Sequence, residues 1–166
     1  MTSEAGRGSE AGFEALIGPL VEPGLRLAYS MLGDRAEAED ATQEAIARAW
    51  RRLPQLREPG QIRPWFLAIV ANQCRNVRRG RWFKTIRIPE FFQPARPAEP
   101  NVEKIDVERA LARLPVADRQ VLFMHFFLDL PVEEVAGVLG ISPAAAKGRI
   151  YRACHRVRPD LLEEDL

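Results

Sequence analysis

The chain has 166 residues, 46% of them apolar and 28% charged, which is enough for one packed domain or two small ones and suits a soluble protein. No apolar run approaches the ~20 residues of a membrane span, and residues 1–12 have neither the basic nor the apolar region of a signal peptide. The formal net charge of +1 argues at first against nucleic acid. That average hides a segregation: residues 34–44 hold five acids and one Arg, whereas residues 71–88 hold six Lys/Arg and no acid. One acidic and two basic faces point to two kinds of partner.

In chain order, residues 1–12 are small and polar and are expected to be disordered. Apolar residues then recur at helical spacing, with no strand-like alternation, so the expected fold is all-α. A first helix is predicted over residues 13–31, with Leu16, Leu20, Leu27 and Met31 apolar and a kink or break near Gly24 imposed by Pro19 and Pro23. Asp34 can cap a second helix over residues 35–52, whose inward side is Ala38, Ala45, Ile46, Ala49 and Leu53, with Trp50 at its edge. This helix places Asp40, Gln43 and Glu44 together on one outward face. After a loop with Pro54, Pro59 and Gly60, Pro64 opens a third helix reaching Gly80, with Phe66, Ile69, Val70 and Val77 inward and Trp65 in the core or at its rim. Its other side carries Ala68, Asn72, Arg75 and Arg79, flanked by Asn76 and Arg78 and followed by Trp82 and Phe83. Amides and guanidiniums can read base edges or phosphates and aromatics can stack on bases, but taken alone this face fits a solvated surface equally well.

Residues 88–102 are rich in Pro and lack periodicity, which predicts a linker between two small helical domains. The second domain is expected over residues 103–162. Val107, Leu111 and Leu114 mark a helix ended by Pro115, and residues 116–128 form the next, with Leu122 and Phe126 one turn apart. Then comes the most informative stretch. A short helix over residues 132–139 runs into Gly140, Ser142 can cap the following helix, and Pro143 sits where a missing N–H costs nothing. Two helices joined by so tight a turn place the second in a DNA major groove. In that second helix Ala146, Ile150, Ala153 and Val157 make the apolar stripe. The opposite face carries Ala144, Gly148, Tyr151, Arg152 and His155, flanked by Lys147 and Arg149. Pro159 and an acidic tail at 163–166 close the chain.

Cys74 and Cys154 are too few and too distant for a disulfide framework or a CxxC metal site, and read as buried or half-buried thiols. His125 and His155 lack a neighbouring ligand set. No metal, cofactor, small-molecule substrate or catalytic set is expected, so an enzyme is disfavoured. A dimeric helix-turn-helix repressor would account for the second half but leaves the acidic face without a role.

Together these runs resemble the extracytoplasmic-function (ECF) sigma factors of the sigma-70 family of bacterial RNA polymerase, over residues 13–158. The run Ala38-Glu-Asp-Ala-Thr-Gln-Glu with Trp50 is similar to the family's polymerase-clamp segment. Pro64-Trp-Phe with Asn72 and the Arg cluster is similar to its −10 segment. Residues 111–158, with Leu114-Pro115, Arg119, Glu133-Glu134-Val-Ala, Leu139-Gly140 and Arg149, are similar to its −35 domain. The resemblance implies a cytoplasmic sigma factor that docks core RNA polymerase through Asp40, Gln43 and Glu44 and holds −10 DNA through Asn72, Arg75, Asn76 and Arg79. It also implies −35 contacts from Lys147, Tyr151 and Arg152, a base flipped into the loop at 56–62, and in many relatives an anti-sigma partner. The chain departs from the family where Gly-Thr-Val is common, having Ala144-Ala145-Ala146, and where Asp is frequent, having Asn76. The promoter sequence therefore does not follow from the resemblance. A sigma-like adaptor that does not initiate transcription is a further reading the sequence leaves open.

Overall fold

A computed structural model describes residues 9–87, 110–111 and 113–162, with side chains described for 9–81, 110–111 and 113–157. The expected linker at 88–102, the N-terminal stretch as far as residue 8, Val107, the side chains of Trp82 and Phe83, and the acidic tail all lie outside these; residues 9–12, expected to be disordered, instead cap and begin the first helix. Every described element is helical, in the order α1 (Glu10–Leu32), α2 (Arg35–Arg52), two short 3-10 turns (Leu53–Gln55 and Pro59–Gln61), α3 (Ile62–Arg87), α4 (Val116–Leu122), a π turn (Phe123–Phe127), α5 (Val132–Leu139) and α6 (Pro143–Leu162). They form two compact units, the first built on α1, α2 and α3 and the second on the helices that follow Pro115.

In the first unit the starts of α1 and α2 have a chemical cause. Ser9 Oγ accepts from Gly12 N at 3.1 Å, which starts α1 three residues before the position expected from the apolar pattern. Gly33, at φ 69°, closes it in the left-handed conformation that glycine adopts without strain. Asp34 Oδ1 accepts from Glu37 N at 2.9 Å and starts α2 where expected.

The expected break in α1 does not occur: the helix runs continuously through Pro19 and Pro23. Each proline removes one N–H and frees the carbonyl four residues earlier, here Ala15 and Pro19, both on the exposed side where water can bond them. Packing holds the helix together around Gly24. A Cβ at Gly24 would lie 3.0 Å from Phe66 Cε1 and 3.3 Å from Val70 Cγ2, so the glycine is a contact point rather than a hinge. The core comprises Ile17, Leu27, Ala28, Met31 and Leu32 of α1, Ala38, Ala41, Ala45 and Ala49 of α2, Leu53, and Phe66, Leu67, Ile69, Val70, Ala71 and Cys74 of α3. Ile46, Trp65 and Val77 are half-buried, at its rim.

Helix α3 also overruns its predicted end at Gly80 and continues to Arg87. A single glycine costs a helix only about 1 kcal/mol. Arg81, the next residue of the helix, offsets that cost through partners outside it, donating to Glu37 Oε1 at 2.9 Å and to the Leu32 carbonyl at 3.2 Å.

In the second unit, residues 116–128 are not one α-helix. After Leu122 the hydrogen bonds lengthen their register: Leu128 N donates to Phe123 O at 3.0 Å, five residues back, and Leu130 N to Met124 O at 3.0 Å. The extra residue in the turn changes which side chains face inward. Met124, Leu128 and Leu130 are buried, whereas Phe126, expected one turn below Leu122, is exposed beside Phe127. Helix α6 buries the expected stripe of Ala146, Ile150, Ala153 and Val157, and its backbone continues through Pro159 to Leu162. Arg156 pairs with the mostly buried carboxylate of Asp118, tying α6 to α4.

Gly24→Val should destabilise the first unit by about 2 kcal/mol, because the added methyls meet Phe66 and Val70 with no room to retreat. Urea denaturation followed by circular dichroism measures this, and an unchanged midpoint would contradict the close contact.

Candidate nucleic-acid interface

Three helices carry the residues singled out from the sequence, and each is set in rotation by what it buries. On α2, Ala38, Ala41, Ala45 and Ala49 face inward, so Asp40, Gln43 and Glu44 are all exposed on the outward side. Glu44 Oε1 accepts from Arg48 Nε at 3.0 Å, with Arg51 at 3.7 Å. Arg48 in turn meets Gln73 of α3: the buried amide, with its oxygen toward Arg48, accepts from Nε at 2.6 Å and Nη1 at 3.1 Å. A buried amide on one helix thus braces the acidic face of the next through one guanidinium. Trp50 is exposed at the end of the same helix, its ring edge-on to Phe13 at 5.0 Å.

On α3, Asn72, Asn76, Arg78 and Arg79 are exposed and Arg75 is half-buried, so the four predicted contact residues do share a face. Arg75 Nη1 donates to Asn72 Oδ1, and Arg79 Nη2 donates to Asn76 Oδ1 at 2.7 Å. Each amide oxygen is used by the guanidinium one turn on, which leaves the amide N–H groups of Asn72 and Asn76 and the remaining guanidinium N–H groups of Arg79 as donors. A face of donors alone matches phosphate oxygens and the acceptor edges of bases. Burial lowers the pKa of Arg75, and the nearby positive charge of Arg79 acts in the same direction while Cys74 opposes it. Behind this face, Cys74 is fully buried, and desolvation pushes its thiol up to about 12. The charges of Arg75 and Arg78 act against that shift without cancelling it. Both cysteines are free, Cys154 being half-buried.

The turn between α5 and α6 has the chemistry expected of it. Gly140 sits at φ 66°, its N–H donates to Gly137 O at 3.3 Å, and Ile141 N donates to Ala136 O at 3.0 Å. These paired bonds satisfy the last carbonyls of α5 and reverse the chain at once. Ser142 Oγ then accepts from Ala145 N at 3.2 Å and caps α6, with Pro143 as its first residue. The outward face of α6 carries Ala144, Lys147, Tyr151, Arg152 and His155, all exposed, with Gly148 and Arg149 half-buried. The rings of Tyr151 and His155 lie 4.4 Å apart. Small residues lead and cations follow, the order that lets a helix approach base edges at its N-terminus and meet phosphates further along.

Sequence reasoning missed the bracing contacts of Arg48 with Gln73, Arg81 with Glu37 and Arg156 with Asp118. Each joins residues far apart in the chain, and no local pattern announces it. Among the described residues no cluster of three His, Cys, Asp or Glu could hold a metal ion, and no helix is long and apolar enough to cross a membrane.

The fold, two helical units with a helix-turn-helix in the second, defines a DNA-binding protein that also carries a separate acidic surface. Comparison with known proteins identifies the class. Residues 18–84 match the model of sigma-70 region 2, and residues 104–157 that of sigma-70 region 4. RNA polymerase sigma factor SigV of Bacillus subtilis is 32% identical over 146 residues, 85% of this chain and 86% of that protein. ECF RNA polymerase sigma factor SigE of Mycolicibacterium smegmatis is 31% identical over 143 residues, covering 80% of this chain and 55% of that protein. The sigma factor RpoE of Bartonella quintana, solved with the anti-sigma factor NepR, has the same fold, with a TM-score of 0.79, 20% identity and coverage of 90% of this chain and 96% of that one. The chain belongs to the sigma-70 family, in its ECF group. It is a sigma factor, which acts with core RNA polymerase at promoter DNA to direct transcription initiation.

Because folding raises the Cys74 thiol, the stability it confers is complete below the ordinary thiol value of 9.0 and is lost as pH rises toward about 12. At about pH 8 the thiol is protonated and enclosed. Iodoacetamide should leave it unmodified in the folded protein and label it after unfolding, as read by mass spectrometry. Rapid labelling of folded Cys74 would contradict its burial.

Proposed function

We propose that the three exposed faces divide the work of promoter recognition. Asp40, Gln43 and Glu44 dock on core RNA polymerase. Asn72, Arg75, Asn76 and Arg79 hold the −10 DNA, and the turn-rich segment at 56–62 receives a base taken from the stack. Lys147, Tyr151 and Arg152 enter the major groove of the −35 element. The two DNA-binding parts are residues 13–87 and 103–162, joined by the Pro-rich segment 88–102. The observation that carries this reading is the segregation of charge onto separate helix faces: acids outward on α2, donors outward on α3 and α6.

The physical sequence follows from those faces. Cationic side chains release counterions from the DNA and supply affinity that falls steeply with salt. An acidic surface would repel DNA, so its partner must be a protein carrying complementary charge. Extracting a base costs a few kcal/mol of unstacking, which contacts with the opened strand must offset. Polymerase binding supplies the rest by holding both grips on one promoter at once, so each needs only modest affinity of its own. The protein works in the cytoplasm and has no catalytic machinery of its own; the polymerase carries the chemistry. An anti-sigma factor that covers one of these faces is a further partner, supported by the relative solved with one.

Run-off transcription with purified core polymerase and genomic promoter fragments tests the whole reading. Specific initiation, with weak promoter binding by the free protein, is the expected result. Tight operator binding without polymerase and no core complex would favour a repressor instead.

Exchange of Asp40 and Glu44 for Ala should weaken the core complex tenfold or more, about 1.4 kcal/mol, while helical content and melting temperature stay the same. Loss of fold in parallel would mean that these carboxylates are structural.

A further inference from the structure

We propose that Gly148 is a specificity-determining positioning residue: it leaves open the space in which the guanidinium of Arg152 lies, and so sets how that side chain meets the −35 base pairs. This rests on the reading of α6 as the −35 helix.

Side chains on an α-helix lean toward its N-terminus, so a long residue covers the turn before its own Cα. Arg152 therefore lies over the turn that contains Gly148. The structure puts a distance on that overlap: a Cβ at position 148 would stand 3.3 Å from Arg152 Nη1, tighter than ordinary van der Waals contact.

The common reasons for a glycine do not apply at Gly148. Its backbone is not left-handed, since only Gly33 and Gly140 among the described glycines have positive φ. It is not a helix-packing contact like Gly24, because among the described residues, the helix's own backbone aside, Arg152 Nη1 is the sole neighbour within 4 Å of its would-be Cβ. Yet a glycine inside a helix costs about 1 kcal/mol relative to alanine. What that vacancy accommodates is a guanidinium.

Two arginines on successive turns of α6 show how different the outcome can be. Arg156 is bound to Asp118 and serves the fold. Arg152 is exposed, lies along the helix over Gly148 and has no carboxylate partner among the described residues. With Ala144 one turn further on, nothing long stands between the guanidinium and the N-terminal half of the helix, the part that enters a groove most deeply. A guanidinium lying low on the helix presents two parallel N–H groups, the arrangement that pairs with the adjacent O6 and N7 acceptors of guanine. A side chain at 148 would lift that fork and tilt it out of register with the base edge.

The test uses holoenzyme assembled from core polymerase and the full chain, with a pool of promoters randomised across the −35 element. The proteins are the unaltered chain, Gly148→Ala, Gly148→Met, Arg152→Ala and the double variant Gly148→Met with Arg152→Ala. Arg152→Ala should lower selectivity at one base pair by roughly fivefold or more, the low end for a lost bidentate contact. Gly148→Met should cause the same loss at the same base pair, with Gly148→Ala intermediate. The double variant should be no worse than Arg152→Ala alone, since both changes act through one side chain. Melting temperatures of the Gly148 variants should equal or exceed that of the unaltered chain, because both replacements favour helix. A selective loss in a more stable protein is something a merely structural glycine would not produce. Unchanged selectivity in Gly148→Met would overturn the inference, as would losses that multiply in the double variant or a lowered melting temperature with uniform loss across positions. If Arg152→Ala itself leaves the profile unchanged, Arg152 is not a −35 contact and the inference is overturned with it, whereas the assignment of α6 to the −35 element falls only if Lys147 and Tyr151 variants are silent as well.

Discussion

The arrangement depends above all on how far each helix is turned about its own axis. A helix advances about 100° per residue, so a rotation of one residue would carry a carboxylate of α2 toward the core and an alanine out to solvent. What prevents this is the row Ala38, Ala41, Ala45 and Ala49, buried against α1 and α3. Alanine lets helices approach closely and gives little freedom to slide, because the neighbouring side chains fill the space that it leaves. Polar contacts clamp the same helix near its two ends: Glu37 to Arg81, and Arg48 to Gln73. With rotation set from both sides, Asp40, Gln43 and Glu44 can only point outward.

The second unit solves the same problem with less material. The stripe of Ala146, Ile150, Ala153 and Val157 sets the rotation of α6, and Arg156 against Asp118 sets its position along α4. The half-turn at Gly140 and the Ser142 cap fix where the helix starts, and therefore which residues form its first turn. Orientation, depth and register thus come from separate groups, none of which needs to touch DNA. That separation leaves the outward residues free to vary without disturbing the fold.

Much of this was legible in the sequence wherever a signal was local. Asp34 fixed the start of α2, Gly140 and Ser142 the turn, and the four-residue stripe the inward face of α6; all are patterns within a few residues. The failures share the opposite character. Pro19 and Pro23 announce a break, yet their freed carbonyls face water and the flanking side chains pack, so α1 persists. Gly80 announces an end, yet Arg81 is held by residues more than forty positions away. The rotated faces of Phe126 and Leu128 escaped notice because a π register leaves no compositional mark. The site residues themselves were readable as exposed faces, but their braces, Gln73 through Arg48 above all, were not, because an interior glutamine looks the same in sequence as a surface one.

That π turn also bears on how the chain length can vary among relatives. Phe123–Phe127 contains one residue more than an α-helical turn would need to bring Leu128 and Leu130 back to the core. A relative lacking one residue here can close the turn in the ordinary α register and keep both leucines in place. The same deletion within α6 would swing every later side chain by about 100° and carry its exposed cationic face toward the core. Single-residue gaps in an alignment of such chains therefore carry different meanings at the two places: near-silent between Leu122 and Leu128, and a change of exposed surface beyond Pro143.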